Sequence, residues 1–200
     1  MKLILASSSP RRAEILRHAG FSFEIRPTHM DESRLPGEPP PDYVLRLARA
    51  KSQAAAEDEI IFGEAAYVIG ADTAVVVEGE LLGKPAKTED ARRMLHLLRG
   101  KTHEVLTGLS ILAIPEGKRV DHVESTRVTF LNISDQEVEE YISSGEPFDK
   151  AGAYGIQGIG GRFIERIEGC YFNVMGLPVS RLWGFLRGLG WNEPEISYLP

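Results

Sequence analysis

The sequence is poor in cysteine and has no long apolar run. Its one cysteine, Cys170, excludes an intrachain disulfide and gives no sign of an oxidising compartment. No stretch approaches the roughly 18 apolar residues that cross a bilayer, and the apolar segment 1–6 is too short for the core of a signal peptide. We therefore expect a cytoplasmic protein with no membrane partner.

Positive charge is also in short supply. Lysine and arginine number 23 against 29 aspartates and glutamates, which gives a formal net charge of −6. Nucleic acids are attracted by a broad basic surface, so we expect no nucleic-acid partner, although a few local cations can still hold a small anion. With 42% hydrophobic residues, the 200-residue chain is expected to fold as a single domain over 1–200.

Apolar runs that are typical of strands alternate with segments of helical period. This pattern indicates an α/β fold with a largely buried sheet. Strands are predicted at 3–6, 21–26, 67–71, 74–77, 81–82, 105–114 and 123–131. Helices are predicted at 10–19, at 43–58, from Thr88 to Gly100, from Ser134 to Gly145 and from Pro178 onward. The proline-rich segment 34–42 is predicted to be an irregular, exposed loop.

The first helix begins in a way that is typical of anion sites. Ser9 occupies the N-cap position and Pro10 the first helical position, and Arg11 and Arg12 follow in the first turn. Two cations at a helix N-terminus are unfavourable on their own, whereas a phosphate there would be bound by guanidinium, hydroxyl and backbone N–H groups together. Two solvated arginines after an ordinary cap are the alternative interpretation.

An acidic residue, Asp72, interrupts the apolar run 67–77. A carboxylate there is costly unless it binds a metal, pairs with a cation or faces a cleft at the end of a strand. In a phosphohydrolase it can hold a divalent cation or accept a proton from the attacking water. Asp31 and Glu32, in the loop after the second predicted strand, can complete such a metal site. The alternatives are that Asp72 caps a turn and that the two adjacent loop acids are solvated.

Four further polar residues are candidates for ligand contacts. Lys51 and Lys84 can each place a point charge on a phosphate, although single lysines are more often solvated. Thr73 can hydrogen-bond the adjacent carboxylate or a substrate. Gln157 lies among five glycines in the segment 152–161, where backbone can approach a ligand and an amide can bind a base edge. A series of tight turns without a ligand is the alternative for this segment.

Together these segments resemble the Maf family of nucleotide pyrophosphatases over residues 3–182. The motifs that carry the resemblance are Ala-Ser-Ser-Ser-Pro-Arg-Arg at 6–12, Asp-Glu at 31–32, Ala-Lys at 50–51, Gly-Ala-Asp-Thr at 70–73, Gly-Lys-Pro at 83–85, Phe-Asp-Lys-Ala-Gly-Ala-Tyr-Gly-Ile-Gln-Gly at 148–158 and Asn-Val-Met-Gly-Leu-Pro at 173–178. Each motif alone is weak, but their number and order make the resemblance specific.

The resemblance implies a fold, a reaction and partners. The fold would be a mixed, elongated sheet flanked by helices, in two lobes with a nucleotide cleft, as in inosine triphosphatases. The reaction would release pyrophosphate from a nucleoside triphosphate with Mg²⁺ or Mn²⁺, and the protein would be a homodimer. The segment Gly-Ile-Gln-Gly at 155–158 looks like that of the branch acting on dTTP and UTP, with CTP or modified pyrimidine nucleotides as further substrates.

The resemblance also implies roles for individual residues. Asp72, Lys51 and Lys84 would be catalytic, and Asp72 and Glu32 would hold the metal ion. The residues that would bind substrate are Ser8, Arg11, Arg12, Thr73 and Gln157. Two rival functions remain open at this point: a 7-methyl-GTP pyrophosphatase, and a non-catalytic nucleotide-binding regulator of cell division.

Overall fold

The computed structural model describes residues 1–62 and 65–192, and of residues 58–62 it describes the backbone alone. The chain divides into two compact units. The first comprises Met1–Asp72, Gly108–Val123 and the described residues from Gly176, and the second comprises Thr73–Thr107 and Glu124–Met175. The single domain expected over 1–200 includes residues outside the described part and stays a prediction.

In the described residues, seven strands form one mixed sheet, which confirms the predicted α/β class. The strands are β1 (Lys2–Leu5), β2 (Glu24–Ile25), β3 (Ala66–Val77), β4 (Glu80–Leu82), β5 (Thr102–Ile114), β6 (Lys118–Phe130) and β7 (Ile164–Glu168). Their order is β2-β1-β3-β5-β6-β7, with β4 paired to β3. β1 runs parallel to β2 and β3, whereas the pairs β3–β4 and β6–β7 are antiparallel.

Two of the helices begin at residues whose side chains cap the first turn. The helices are α1 (Pro10–His18), α2 (Pro40–Phe62), α3 (Thr88–Leu98), α4 (Asp135–Ser143), α5 (Tyr171–Met175) and α6 (Val179–Gly188). The Ser9 side chain accepts the N–H of Arg12 at the start of α1, and Ser134 and Glu137 form both bonds of a capping box on α4. The predicted cap at Ser9 is therefore confirmed.

Several predicted boundaries are wrong. The long helix α2 begins at Pro40, inside the segment predicted to be a loop, because prolines are tolerated in a first turn whose N–H groups have no helical acceptor. The strands predicted at 67–71 and 74–77 are one continuous strand, β3, and the strand predicted at 21–26 is only two residues long. β7, α5 and three short 3-10 helices in 146–163 were not predicted.

In the first unit, α2 lies directly on the backbone of β3 and β5. A Cβ atom on Gly70 would lie 2.0 Å from the carbonyl oxygen of Ala48, and one on Gly108 would lie 2.2 Å from that of Val44. Real Cβ atoms do not approach so closely, so both positions require glycine for the helix to sit where it does. This close approach brings Lys51 of α2 to the side of β3.

Each unit has its own apolar core. In the first unit one cluster joins buried side chains of β1 and β3 to Ala55 and Ala56 of α2. In the second unit, α3 and α4 pack with β3 and β6 around aromatic side chains that include Phe130 and Tyr141. No helix in the described part of the chain is long and apolar enough to cross a membrane.

Candidate active site

The first unit brings Lys51, Glu32 and Asp72 into one cluster. The Nζ atom of Lys51 lies 2.6 Å from Asp72 Oδ1 and 2.6 Å from Glu32 Oε1. Lys51 and Asp72 are buried, with relative exposures of 7% and 8%, whereas half of the Glu32 side chain is exposed. Lys51 is thus the cation that lets a carboxylate lie within the apolar strand β3, and Glu32 opens the cluster to solvent.

Arg12 supplies a second buried cation near the same carboxylates. Its Nε atom donates to the carbonyl oxygen of Gly176 at 2.8 Å, and its guanidinium also donates to Ser7 Oγ at 3.1 Å. Burial lowers the pKa of Arg12 below its ordinary value, and the negative charges of Asp72 and Glu32 oppose this effect. Arg12 therefore fastens α1 to Gly176 while it lies within electrostatic reach of the acidic pair.

The serine run at the start of α1 contains a residue that the sequence did not single out. Ser7 is buried, and its Oγ atom accepts hydrogen bonds from both Arg12 and the backbone N–H of Ser9. The predicted substrate-binding residue Ser8 is exposed instead, and Arg11 is partly buried. Three consecutive serines give no signal of which one faces inward.

The paired carboxylates fit a divalent cation. Asp72 and Glu32 both contact the same ammonium nitrogen, so their oxygens surround one position of positive charge. Mg²⁺ commonly takes one or two carboxylates and completes its shell with water and substrate phosphates. Among the described residues no group of three or more His, Cys, Asp and Glu side chains is arranged to hold a metal. A metal here would therefore depend on those two acids and on non-protein oxygens.

The other predicted site residues belong to the second unit. Thr73 Oγ lies 2.9 Å from Thr107 Oγ, which in turn donates to the carbonyl oxygen of Asn173 at 3.2 Å. Because a hydroxyl has a single proton, the Thr73 hydroxyl is the donor to Thr107. Lys84 is exposed and Gln157 is partly buried.

The segment around Gln157 is organised by a carboxylate that sequence reasoning missed. Glu146 accepts hydrogen bonds from the backbone N–H groups of Ile159 (2.8 Å) and Gly160 (3.1 Å), and from the hydroxyl of Tyr141 (2.9 Å). Although burial alone would raise the pKa of Glu146, these hydrogen bonds lower it below its ordinary value. The Tyr141 hydroxyl also accepts the N–H of Gly155. The glycine-rich segment is therefore an ordered structure, held at both ends.

The mixed sheet and the buried cluster define an α/β protein with two carboxylates, an ammonium and a guanidinium gathered in its first unit. The model of the Maf family, described as Maf-like protein, matches residues 2–189, and the chain belongs to this family. The resemblance read from the motifs is thereby confirmed.

Curated relatives are similar over nearly their whole length. A protein named dTTP/UTP pyrophosphatase from Anaeromyxobacter dehalogenans is 48% identical over 199 residues, which cover 96% of this chain and 98% of that protein. A protein of the same name from Koribacter versatilis is 49% identical over 192 residues, covering 95% of both chains. A solved nucleoside-triphosphatase / dITP/XTP pyrophosphatase from Mycobacterium abscessus, 15% identical with a TM-score of 0.37 over 95% of both chains, is too distant to support a statement about function.

Proposed function

We propose that this chain is a nucleoside triphosphate pyrophosphatase that hydrolyses dTTP and UTP to the monophosphate and pyrophosphate. CTP or modified pyrimidine nucleotides are further candidate substrates. Family membership and the names of relatives at 48% and 49% identity support this proposal. The observation that carries it is the buried Asp72 carboxylate, which shares the ammonium of Lys51 with Glu32 and lies within electrostatic reach of Arg12.

The residues of the cluster suit attack of water on the α-phosphorus. As water attacks, the bond from this phosphorus to the bridging oxygen breaks, and pyrophosphate leaves with the bonding electrons. Asp72 has a second carboxylate oxygen with which to orient the water and accept its proton, and Lys51 and Arg12 neutralise phosphate charge. Asp72 and Glu32 would hold Mg²⁺ or Mn²⁺, which supplies charge neutralisation at the phosphates when bound.

The remaining roles follow the family resemblance. Ser8 and Arg11, at the N-terminus of α1, are proposed to bind phosphate oxygens together with free backbone N–H groups. In the second unit, Lys84 is proposed to neutralise phosphate charge. Thr73 and Gln157, together with Arg11, are proposed to contribute to substrate choice. The protein is further proposed to be cytoplasmic and homodimeric.

The decisive experiment compares Asp72→Asn with the wild-type protein. Purified protein is incubated with dTTP or UTP and Mg²⁺, and pyrophosphate and single phosphate are assayed separately. The wild type should release pyrophosphate. Asp72→Asn should lose roughly 100-fold or more in turnover and stay folded, because it keeps the shape but removes the base or metal ligand. The control Asp121→Asn changes a carboxylate of the first unit that pairs with Arg49, outside the cluster.

The same assay separates the rival functions. Near wild-type release of pyrophosphate by Asp72→Asn would contradict the assignment of Asp72. Preference for 7-methyl-GTP over dTTP and UTP would show that the protein is a 7-methyl-GTP pyrophosphatase instead. Tight nucleotide binding without turnover in any metal would make it a regulator rather than an enzyme.

A further inference from the structure

The loop that carries Glu32 is fastened to α2 by an ion pair between Glu38 and Arg46. The Glu38 carboxylate accepts two parallel hydrogen bonds from the guanidinium of Arg46, at 2.6 Å to Oε1 and 2.9 Å to Oε2. Residues 31–37 are all exposed, whereas Glu38 is buried, with a relative exposure of 9%. The pair therefore fixes the orientation of the Glu38 carboxylate as well as neutralising its charge, because a guanidinium binds both carboxylate oxygens in one relative orientation only.

The same pair also holds the loop between Glu32 and Glu38. Arg46 donates to the carbonyl oxygen of Ser33 at 3.0 Å, and Glu38 Oε2 accepts the backbone N–H of Leu35 at 3.1 Å. Arg34 donates back to the carbonyl oxygen of Glu38. Both ends of the segment 33–38 are therefore tied to one point on α2. We call this arrangement of Glu38 and Arg46 the loop clamp.

Glu32 lies immediately before the clamped segment and is held from the helix as well. The Tyr43 hydroxyl donates to the backbone carbonyl oxygen of Glu32 at 3.0 Å, and the Arg46 guanidinium lies over the Tyr43 ring, 5.7 Å from its centroid. The Arg46 side chain thus touches both the loop and the tyrosine that holds Glu32.

We propose that Glu38 and Arg46 are positioning residues, whose clamp holds the Glu32 carboxylate at Lys51 and opposite Asp72. The proposal rests on the proposed function of Glu32 and Asp72 as ligands of one cation. Without the clamp, an exposed loop would have to be ordered each time a cation binds, at a cost in conformational entropy. The clamp orders the loop beforehand, and the cation then meets a formed pair of ligands.

The test uses the full chain with Glu38→Gln and Arg46→Lys. The first removes the charge of the acceptor, and the second keeps the positive charge but loses the two-pronged hydrogen bond. The matched control is Arg49→Gln, since Arg49 also lies on α2 and pairs with a carboxylate, Asp121, but does not touch the loop. Thermal unfolding of each variant establishes that it is folded.

Two measurements are independent of turnover. Hydrogen exchange without nucleotide should be faster across 31–38 in both clamp variants and unchanged in Arg49→Gln. Binding of Mn²⁺ to the protein alone, followed by electron paramagnetic resonance, should weaken roughly tenfold or more in both clamp variants, as expected when a residue that supports a ligand is removed. In a pyrophosphate assay, both clamp variants should need a higher metal concentration to reach the half-maximal rate. Their rate at saturating metal should change less.

Each outcome bears on the proposal. Faster exchange with unchanged Mn²⁺ binding would overturn it and leave the clamp a structural element only. Unchanged exchange would show that the clamp does not order the loop, which also overturns it. If the wild type binds Mn²⁺ but no protein releases pyrophosphate, the proposed function fails while the clamp is still judged by exchange and Mn²⁺ binding.

Discussion

At the residue scale, Lys51 is the cation that holds the two carboxylates together when no metal is bound. We expect Lys51→Met to be destabilised by about 3 kcal/mol without metal, because Asp72 would be left as a buried carboxylate without its ion pair. Added Mn²⁺ should raise the unfolding temperature of Lys51→Met more than that of the wild type, because the ammonium no longer competes for the carboxylates. Thermal unfolding with and without Mn²⁺ measures both effects.

The matched control is Lys101→Met, since Lys101 forms an exposed ion pair with Glu78 at 3.0 Å. Exposed pairs contribute about 1 kcal/mol or less, so this variant should respond to Mn²⁺ as the wild type does. An equal Mn²⁺ effect in Lys51→Met and the wild type would show that the lysine and the metal do not share the two carboxylates.

Single residues of the cluster could be predicted from the sequence, but their contacts could not. Asp72 stands out because a carboxylate within an apolar strand needs a partner. The sequence does not say that this partner is Lys51, because the two meet only when α2 rests on Gly70. The sequence likewise gives no reason to choose Ser7 over Ser8, because the burial of Ser7 depends on its contact with Arg12.

At the scale of elements, the glycine-rich segment 155–160 depends on Glu146. We expect Glu146→Gln to loosen this segment, because an amide offers one accepting oxygen and its NH₂ group would face a donor, such as the N–H of Ile159. If Gln157 contributes to substrate choice, the ratio of kcat/KM for UTP over CTP should change more than kcat with the best substrate. Hydrogen exchange across 155–160 should become faster.

The control for this variant is Glu140→Gln. Glu140 is exposed on α4, where its carboxylate accepts a hydrogen bond from Gln136 at 2.9 Å. This variant should leave both the substrate ratio and the exchange unchanged. Faster exchange in Glu146→Gln with an unchanged ranking of UTP, dTTP and CTP would contradict a link between the segment and base choice.

Elements with local signals were predicted well, and those with distant causes were not. The caps at Ser9 and Ser134 lie within three residues of the groups they bond, so the sequence displays them. The short 3-10 helices after Gly145 depend on Glu146 and Tyr141, whose hydrogen bonds reach up to 14 residues along the chain. The periodicity of apolar residues does not predict such long-range hydrogen bonds, and the glycine content of the segment predicts only turns.

At the scale of the whole molecule, the class of fold and the family were predictable because both rest on patterns spread over the chain. Alternation of strands and helices indicates α/β, and the family model matches residues 2–189. The pairing order of the strands was not predictable, because β4 and β7 are short and their places depend on the packing of other elements. Stability is also a property of the whole molecule, and we expect one buried histidine to contribute to its pH dependence.

His103 on β5 is buried, with a relative exposure of 2%. Its Nε2 atom lies 2.7 Å from the hydroxyl of Tyr154, and its Nδ1 atom has no hydrogen-bond partner in the described part of the chain. Burial lowers the pKa of His103 from 6.5 to about 4. Below pH 6.5 the unfolded chain therefore takes up a proton that the folded protein does not, and the free energy of unfolding falls as the pH approaches 4.

We expect this loss to reach about 3 kcal/mol near pH 4. Chemical unfolding between pH 7 and pH 4.5 should show a falling free energy of unfolding in the wild type and a flatter profile in His103→Gln, whose side chain does not titrate. His18→Gln, at an exposed histidine of α1, is the control and should follow the wild type. Carboxylates such as Glu38, whose pKa is lowered to about 2, lose their stabilising effect only below their ordinary value of 4.5. A decline of equal slope in His103→Gln would therefore assign the pH dependence to other groups.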